Sequence, residues 1–141
     1  HLLAQAPPPL VAVYHTHTDE SYIPTDGKAS ERGKGSILEV GEVFSNRLAE
    51  LGLRADHSKA LHDPHDANAY HRSRRTVAQL LKSQPSALFD IHRDSVPARV
   101  YTATINGETV SKVMLVVGRQ NQNRKTTMAY AKSIKAVSDK K

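Results

Sequence analysis

Residues 10–20 read LVAVYHTHTDE, a run of apolar residues that leads directly into two histidines, two threonines and two acids. The first five residues contain no charged side chain and are rich in β-branched types, which predicts a short, fully buried strand. Two further short runs, LRADH (53–57) and ALFDIH (87–92), predict a second and a third strand. Helical patterns separate the three runs, and this alternation is typical of a parallel sheet with right-handed crossovers. The sequence therefore predicts an α/β fold with a mostly parallel central sheet and flanking helices.

The two segments between the predicted strands carry helix signals. In SILEVGEVFSNRLAELG, Ser36 can cap a helix and Glu39 stands three residues later, as in a capping box. The second helix follows HDPHD, with Asp66 as its expected cap. Apolar residues recur at helical spacing in both segments and are expected to face the core: Ile37, Val40, Phe44, Leu48 and Leu51 in the first, and Tyr70, Val77, Leu80 and Leu81 in the second.

The rest of the chain predicts a single domain over residues 10–141, preceded by an extended, proline-rich lead-in over residues 1–9. Residues 19–35 are polar and glycine-containing and predict a long loop, a feature that usually carries function in small domains. The stretch RVYTATINGETVSKVMLVVG alternates apolar and polar residues around Asn106-Gly107, which predicts a hairpin added on the C-terminal side. A last helix is expected from Asn123 to about Val137.

The composition limits the classes of partner and of site. The formal net charge of +6 and the pI of 9.7 favour an anionic partner, although a lysine-rich terminal helix is also typical of a solvated surface. Five tyrosines, two phenylalanines and no tryptophan give little material for base stacking, so nucleic acid is not the expected partner. Without cysteine, a metal must be held by nitrogen and oxygen. No segment approaches the roughly 20 apolar residues of a membrane span, so we expect a cytoplasmic protein or an excised fragment.

Histidines follow two of the three predicted strands. His15 and His17 come directly after the first strand, and His92 ends the third. Ligands collect at the carboxyl ends of strands in open α/β sheets, and residues two apart on an extended segment face the same side. We therefore expect these imidazoles at one rim, with Glu39, one turn into the first helix, as a carboxylate. Histidines combined with a glutamate form a known type of catalytic zinc site.

Each of these residues also has a structural explanation. Glu39 fits a capping box with Ser36, and either histidine after the first strand could be a hydrogen-bonded loop residue. His92 stands among acids and an arginine and could belong to a salt-bridge network. The pattern HDPHD, with His62 and His65, resembles a metal-binding motif, but a turn before a helix explains these two residues at least as well.

Four blocks together, YHTHTDESY, EVGEVFSNRLAELG, HDPHDANAYHRSR and DIHRDS, resemble the stage II sporulation protein P family of zinc-dependent peptidoglycan hydrolases from endospore-forming bacteria. The resemblance runs from about Val11 to Ile134. That family is similar in fold to the zinc N-acetylmuramoyl-L-alanine amidases. The resemblance therefore implies an amidase-like fold and a Zn²⁺ bound by His17, Glu39 and His92, with His15 as the alternative to His17.

The resemblance also implies how catalysis is organised. The resembled fold takes its general base from a glutamate on a later strand, beyond the last residue of this chain, so we expect a domain truncated at its C-terminus. Glu20, with Asp19 behind it, is the expected replacement. Arg93 is the second candidate catalytic residue, and the candidate substrate-binding residues are Asp94 and Ser95.

Together these observations predict a zinc amidase that cleaves the bond between the N-acetylmuramoyl lactyl group and L-alanine of peptidoglycan during endospore formation. A second activity on glycan strands is implied by the resemblance alone. The expected partners are peptidoglycan and other sporulation membrane proteins, at a location outside the cytoplasmic membrane and with an anchor that this chain lacks. Two alternatives stay open, a wall-binding module without catalysis and a metal-dependent phosphoesterase.

Overall fold

A computed structural model describes residues 5–140, so the first part of the expected lead-in lies outside the described residues. The chain divides into two compact units, of which the first ends at Ser95 and the second begins at Val96. Residues 5–9 form no helix or strand, and the carbonyl of Pro9 accepts a hydrogen bond from the backbone N–H of Arg54 (3.0 Å). None of the described helices has the length and hydrophobicity needed to cross a bilayer.

The first unit is built on a three-stranded parallel sheet. Its strands are β1 (Leu10–Tyr14), β2 (Arg54–His57) and β3 (Ala87–Asp90), in the order β2-β1-β3. The central strand β1 is paired with a neighbour on both sides, and its apolar residues Leu10–Val13 are buried. The predicted mixed α/β class and the three predicted parallel strands are confirmed. The parallel order brings the carboxyl ends of β1 and β3 to the same edge of the sheet.

Three helices belong to this unit: α1 (Ile23–Asp26), α2 (Ile37–Glu50) and α3 (Ala69–Leu81). The short α1 lies inside the predicted long loop, where Pro24 favours a helix start and Gly27 (φ 71°) ends the turn. Helix α2 contacts β1 and β2, while α3 contacts β1. The buried residues of α2 are Ile37, Gly41 and Ser45, and those of α3 are Ala69, Ser73 and Leu80. Small residues in both buried stripes allow each helix to approach the sheet closely.

Both helix starts differ from the prediction. Ser36 is the N-cap of α2, but its hydroxyl donates to Asp26 instead of capping the helix, so the predicted capping box with Glu39 is wrong. Helix α3 begins later than predicted, with Asn68 at its cap. The side chain of Asp66 accepts a hydrogen bond from Arg72 (2.6 Å) and also interacts with the backbone N–H groups of Asn68 and Ala69 at the start of the helix. Asp66 is therefore not the N-cap residue of α3, although its carboxylate contacts the start of that helix.

Four residues predicted to face the core are exposed instead, namely Val40 and Leu51 in the first helical segment and Tyr70 and Leu81 in α3. Tyr70 is 55% exposed, and Leu81 is also on the surface. Each follows a buried residue of α3, Ala69 or Leu80, by one position, and successive residues in an α-helix are rotated by about 100°. The buried stripe of α3 is therefore narrower than the apolar pattern predicts.

The second unit contains α4 (Ala98–Tyr101), the antiparallel strands β4 (Thr102–Ile105) and β5 (Glu108–Ser111), and α5 (Arg124–Ser138). Asn106 and Gly107 both have positive φ (53° and 83°), as a two-residue hairpin turn requires, and the predicted hairpin is confirmed. Its second strand ends at Ser111, so the apolar run 113–118 is not a continuation of it. In that run Val113, Met114 and Val116 are exposed. The predicted last helix agrees with α5 to within about one residue.

Two glycines mark places where the start of α2 touches its surroundings. A Cβ atom at Gly41 would lie 2.5 Å from Nε2 of both His15 and His57. A Cβ atom at Gly35 would lie 2.4 Å from the carbonyl carbon of Asp19. The long loop therefore returns directly against the chain that follows β1, and α2 begins in contact with it.

We expect Gly41→Ala to destabilise the protein by about 1–2 kcal/mol, because overpacking against two buried imidazoles outweighs the roughly 1 kcal/mol by which alanine favours a helix over glycine. Urea unfolding measures the change. Gly118→Ala is the matched control, since no atom lies within 4 Å of the position of its Cβ. A Gly41→Ala protein as stable as the parent would contradict the close approach.

Candidate functional site

The chain bends at Thr16, directly after β1, and the bend separates the two histidines beside it. The backbone N–H of Thr16 donates to Asp90 Oδ1 (2.8 Å), and its hydroxyl donates to Asp90 Oδ2 (2.6 Å). Because the segment is no longer extended here, the two-residue alternation of a strand does not apply. The prediction that His15 and His17 face the same spot is therefore wrong.

His15 points into the interior. Its Nδ1 donates to the backbone carbonyl of Ile91 (2.9 Å), and its Nε2 lies 2.8 Å from Nε2 of His57. Since a carbonyl can only accept, the Nε2 of a neutral His15 must accept a hydrogen bond from His57. Burial lowers the pKa of both histidines, in agreement with a neutral pair. His15, the alternative first ligand, thus has both ring nitrogens engaged and does not belong to the group of donor atoms around His17.

His17 points instead to the rim at the end of β1. Its ring stacks on His65 (centroid distance 4.0 Å) and meets His92 edge-on (5.3 Å), and these three residues are called the histidine cluster below. Nδ1 of His17 is buried and has no hydrogen-bond partner among the described residues. Burial, followed by the charges of His65 and His92, lowers the pKa of His17. A neutral imidazole with an unused ring nitrogen is the form in which histidine binds metal.

Asp19 contacts one member of the histidine cluster. Nδ1 of His65 lies 2.9 Å from Asp19 Oδ1, and the hydroxyl of Ser30 donates to the same carboxylate. Burial alone raises the pKa of Asp19, but the hydrogen bonds from Ser30 and His65 outweigh burial and lower it. Within residues 5–140, His17, Asp19 and His65 form the group whose side-chain donor atoms all lie within 4.8 Å of one another. Two imidazoles and a carboxylate are a ligand set that zinc accepts.

His92 lies beside this group, between two carboxylates. Its Nε2 is 3.0 Å from Asp90 Oδ2, and its Nδ1 is 3.4 Å from Glu20 Oε1. Burial alone lowers the pKa of His92, but Asp90 and then Glu20 outweigh burial and raise the pKa to about 10. His92 is therefore a cation at neutral pH. The salt-bridge network that the sequence analysis gives as the alternative explanation of His92 is therefore present.

Glu20 and Arg93, the two predicted catalytic residues, lie together. The buried carboxylate of Glu20 accepts the backbone N–H of Arg93 (2.7 Å) in addition to its contact with His92. The guanidinium of Arg93 donates to the carbonyl of Ala29, so it holds the long loop against β3. With both its oxygens engaged, Glu20 is placed to position its neighbours. Asp94 and Ser95, the predicted substrate-binding residues, are exposed next to them in sequence.

Glu39 lies apart from the histidine cluster. It is exposed and lines a cavity of about 590 Å³ together with residues of α1 and α2, none of which belongs to the cluster. Among the described residues, the donor atoms of Glu39, His17 and His92 do not all lie within 4.8 Å of one another. The prediction that these three side chains converge is therefore wrong. The reason lies in α2, where Ile37 is buried. Glu39, two residues later, is rotated by about 200° to the opposite face.

The sequence prediction assigned Tyr70 to the core, yet its ring belongs to the site. It meets His17 edge-on at 5.4 Å and stacks on His92 at 6.4 Å, with an angle of 28° between the two ring planes. The sequence pattern explains His65 as a turn residue, although HDPHD also resembles a metal-binding pattern. Asp19 is 46 positions away from it. Contacts between residues so far apart in sequence are set by the tertiary fold and leave no local pattern.

We expect Asp90→Asn to lower the pKa of His92 from about 10 towards 6.5, because the carboxylate stabilises the protonated ring. An NMR titration of the imidazole C–H signals measures this. Since the pKa is raised in the folded state, the stability that the charged His92 adds is fully present below pH 6.5 and is lost as the pH rises through about 10. Asp66→Asn, which removes an acid bound to Arg72, is the control. An unchanged pKa of His92 in Asp90→Asn would contradict the assignment.

The chain is similar in sequence to a known protein family. A model of the Stage II sporulation protein P family matches residues 4–141. The chain is similar to Stage II sporulation protein P of Bacillus subtilis (strain 168), with 31% identity over 146 residues that cover 94% of this chain and 36% of that protein. It therefore spans about a third of the length of that relative, and no solved structure gives a significant match. The family match over nearly the whole chain confirms the resemblance seen in the sequence: the chain belongs to the stage II sporulation protein P family, which is involved in sporulation.

Proposed function

We propose that this chain is a zinc-dependent hydrolase of the bacterial cell wall that cleaves the N-acetylmuramoyl-L-alanine amide of peptidoglycan. The observation that carries the proposal is the unpartnered, buried Nδ1 of His17, next to Asp19 and His65 at the carboxyl end of β1. A buried ring nitrogen without a hydrogen bond is costly. A bound metal ion would remove that cost, which supports a metal site at this position.

The residues present fit zinc. His17 is neutral because its pKa is lowered, and Asp19 is a carboxylate for the same reason. His65 uses Nδ1 to contact Asp19, which leaves Nε2 as its second possible donor atom. We therefore propose His17, Asp19 and His65 as the ligands, in place of the set with Glu39 that the resemblance implies. Bound at this position, zinc would supply an acidified water and a Lewis acid for the scissile carbonyl.

The neighbouring residues supply charge and order. Asp90 and Glu20 hold His92 as a cation at the rim, where it can stabilise negative charge that develops on a carbonyl oxygen. Asp90 binds Thr16 as well, so it fixes His17 and His92 relative to each other. Glu20 orders the backbone at Arg93. We propose that Glu20 positions these groups.

The amidase-like fold and the place of action are part of the same proposal. Three parallel strands with a ligand-bearing carboxyl edge are compatible with an amidase-like core. The net charge of +6 suits a polyanionic cell wall outside the cytoplasmic membrane. Peptidoglycan and other sporulation membrane proteins are the proposed partners.

We expect the purified chain to bind zinc close to one equivalent, and His17→Ala and His65→Ala each to weaken binding by on the order of 100-fold, because each removes a donor atom. Zinc content after dialysis measures this, with circular dichroism as the check on folding. Glu39→Ala is the matched control and should retain the metal. Loss of zinc in Glu39→Ala together with retention in His65→Ala would replace the proposed ligands by the set that the resemblance implies.

The zinc-loaded chain is expected to release a new amino terminus of L-alanine from purified peptidoglycan. Removal of the metal with a chelator, or the His17→Ala substitution, should abolish the release, since both remove the group that polarises the carbonyl. Dinitrophenyl labelling of free amino groups detects the product. If the parent binds zinc but releases no alanine amine, the metal site stands and the amidase activity does not.

A further inference from the structure

Tyr70 presents an aromatic ring to solvent at the edge of the histidine cluster. It is the second residue of α3, and its ring meets His17 edge-on and stacks on His92. More than half of the residue is exposed (55%). Tyrosine rings usually bury most of their area, and binding sites are typically lined by aromatic rings beside a few polar groups. This exposed face is therefore suited to a ligand.

The ring can be matched to one part of the proposed substrate. One face of a pyranose ring carries C–H bonds with partial positive charge, which pack against the negative face of an aromatic ring. The N-acetylmuramoyl sugar is joined to the scissile carbonyl through one ether oxygen and one carbon. A substrate whose carbonyl reaches the histidine cluster can therefore place its sugar against Tyr70, since the centroid of the Tyr70 ring is 5.4 Å from that of His17.

We propose that Tyr70 is the platform on which the N-acetylmuramoyl sugar packs, so that it selects substrates with a sugar on the acyl side of the amide. The inference rests on the proposed function and adds the residue that recognises the glycan part. The peptide side of the amide fits this ring less well. L-Alanine offers a single methyl group, and the acidic residue that follows it would be repelled by the negative face of the ring.

The test compares two ligands that differ only in the sugar. Muramyl dipeptide (N-acetylmuramoyl-L-alanyl-D-isoglutamine) and lactoyl-L-alanyl-D-isoglutamine are titrated calorimetrically into the zinc-loaded chain. The parent should bind the muramyl ligand more tightly than the lactoyl ligand. In Tyr70→Ala the Kd for the muramyl ligand should rise about 10-fold, while the Kd for the lactoyl ligand changes less than about 2-fold. Tyr70→Phe, which keeps the ring, should bind both ligands as the parent does.

Three measurements separate this role from structural damage and from the proposed function. Tyr70→Ala should keep the zinc content of the parent, and His71→Ala, an exposed change in the same turn of α3, should keep both Kd values. Equal losses for both ligands in Tyr70→Ala, or a parent that does not prefer the muramyl ligand, would overturn the inference. Cleavage is followed separately by release of the alanine amine. A parent that prefers the muramyl ligand without cleaving it would remove the amidase activity and leave the sugar platform standing.

Discussion

The carboxylate of Asp90 binds the backbone N–H and the hydroxyl of Thr16, and the rest of the site depends on this contact. It joins the end of β3 to the end of β1 and fixes the bend between two histidines that would otherwise share one face. One imidazole is thereby turned into the interior and the other towards the rim. The same carboxylate reaches His92, so a single side chain orders both sides of the candidate centre.

The site balances buried acids against imidazoles. Asp19 and Glu20 are buried, an unfavourable position for a charged group unless it is paired and hydrogen-bonded. Asp19 is paired with His65 and Ser30, and Glu20 with His92 and the backbone of Arg93. The histidines therefore differ in protonation: His17 is neutral and His92 is charged. Environments that shift the pKa values of neighbouring groups in opposite directions are typical of functional sites.

The strands could be predicted from the sequence because each is a short apolar run with a clear end, and the turn at Asn106-Gly107 follows from a local preference for positive φ. The direction of individual side chains could not. Tyr70 follows a buried residue of α3 by one position, and Glu39 follows a buried residue of α2 by two positions. Which face of each helix is buried depends on how the helix packs against the sheet. His65 enters the site only because the loop before α3 lies against Asp19. Such a contact is tertiary and has no local signature.

The close approach of α2 has a consequence for how this chain can vary. At Gly35 and Gly41 not even one additional carbon atom fits, because backbone or buried imidazoles occupy the space. Tolerance to mutation should therefore be lowest in the first turns of the helix and should increase towards the exposed Arg47 and Glu50 at its far end. Comparison of natural variants would then reveal the site through invariant residues that have no functional groups, as clearly as through the histidines themselves.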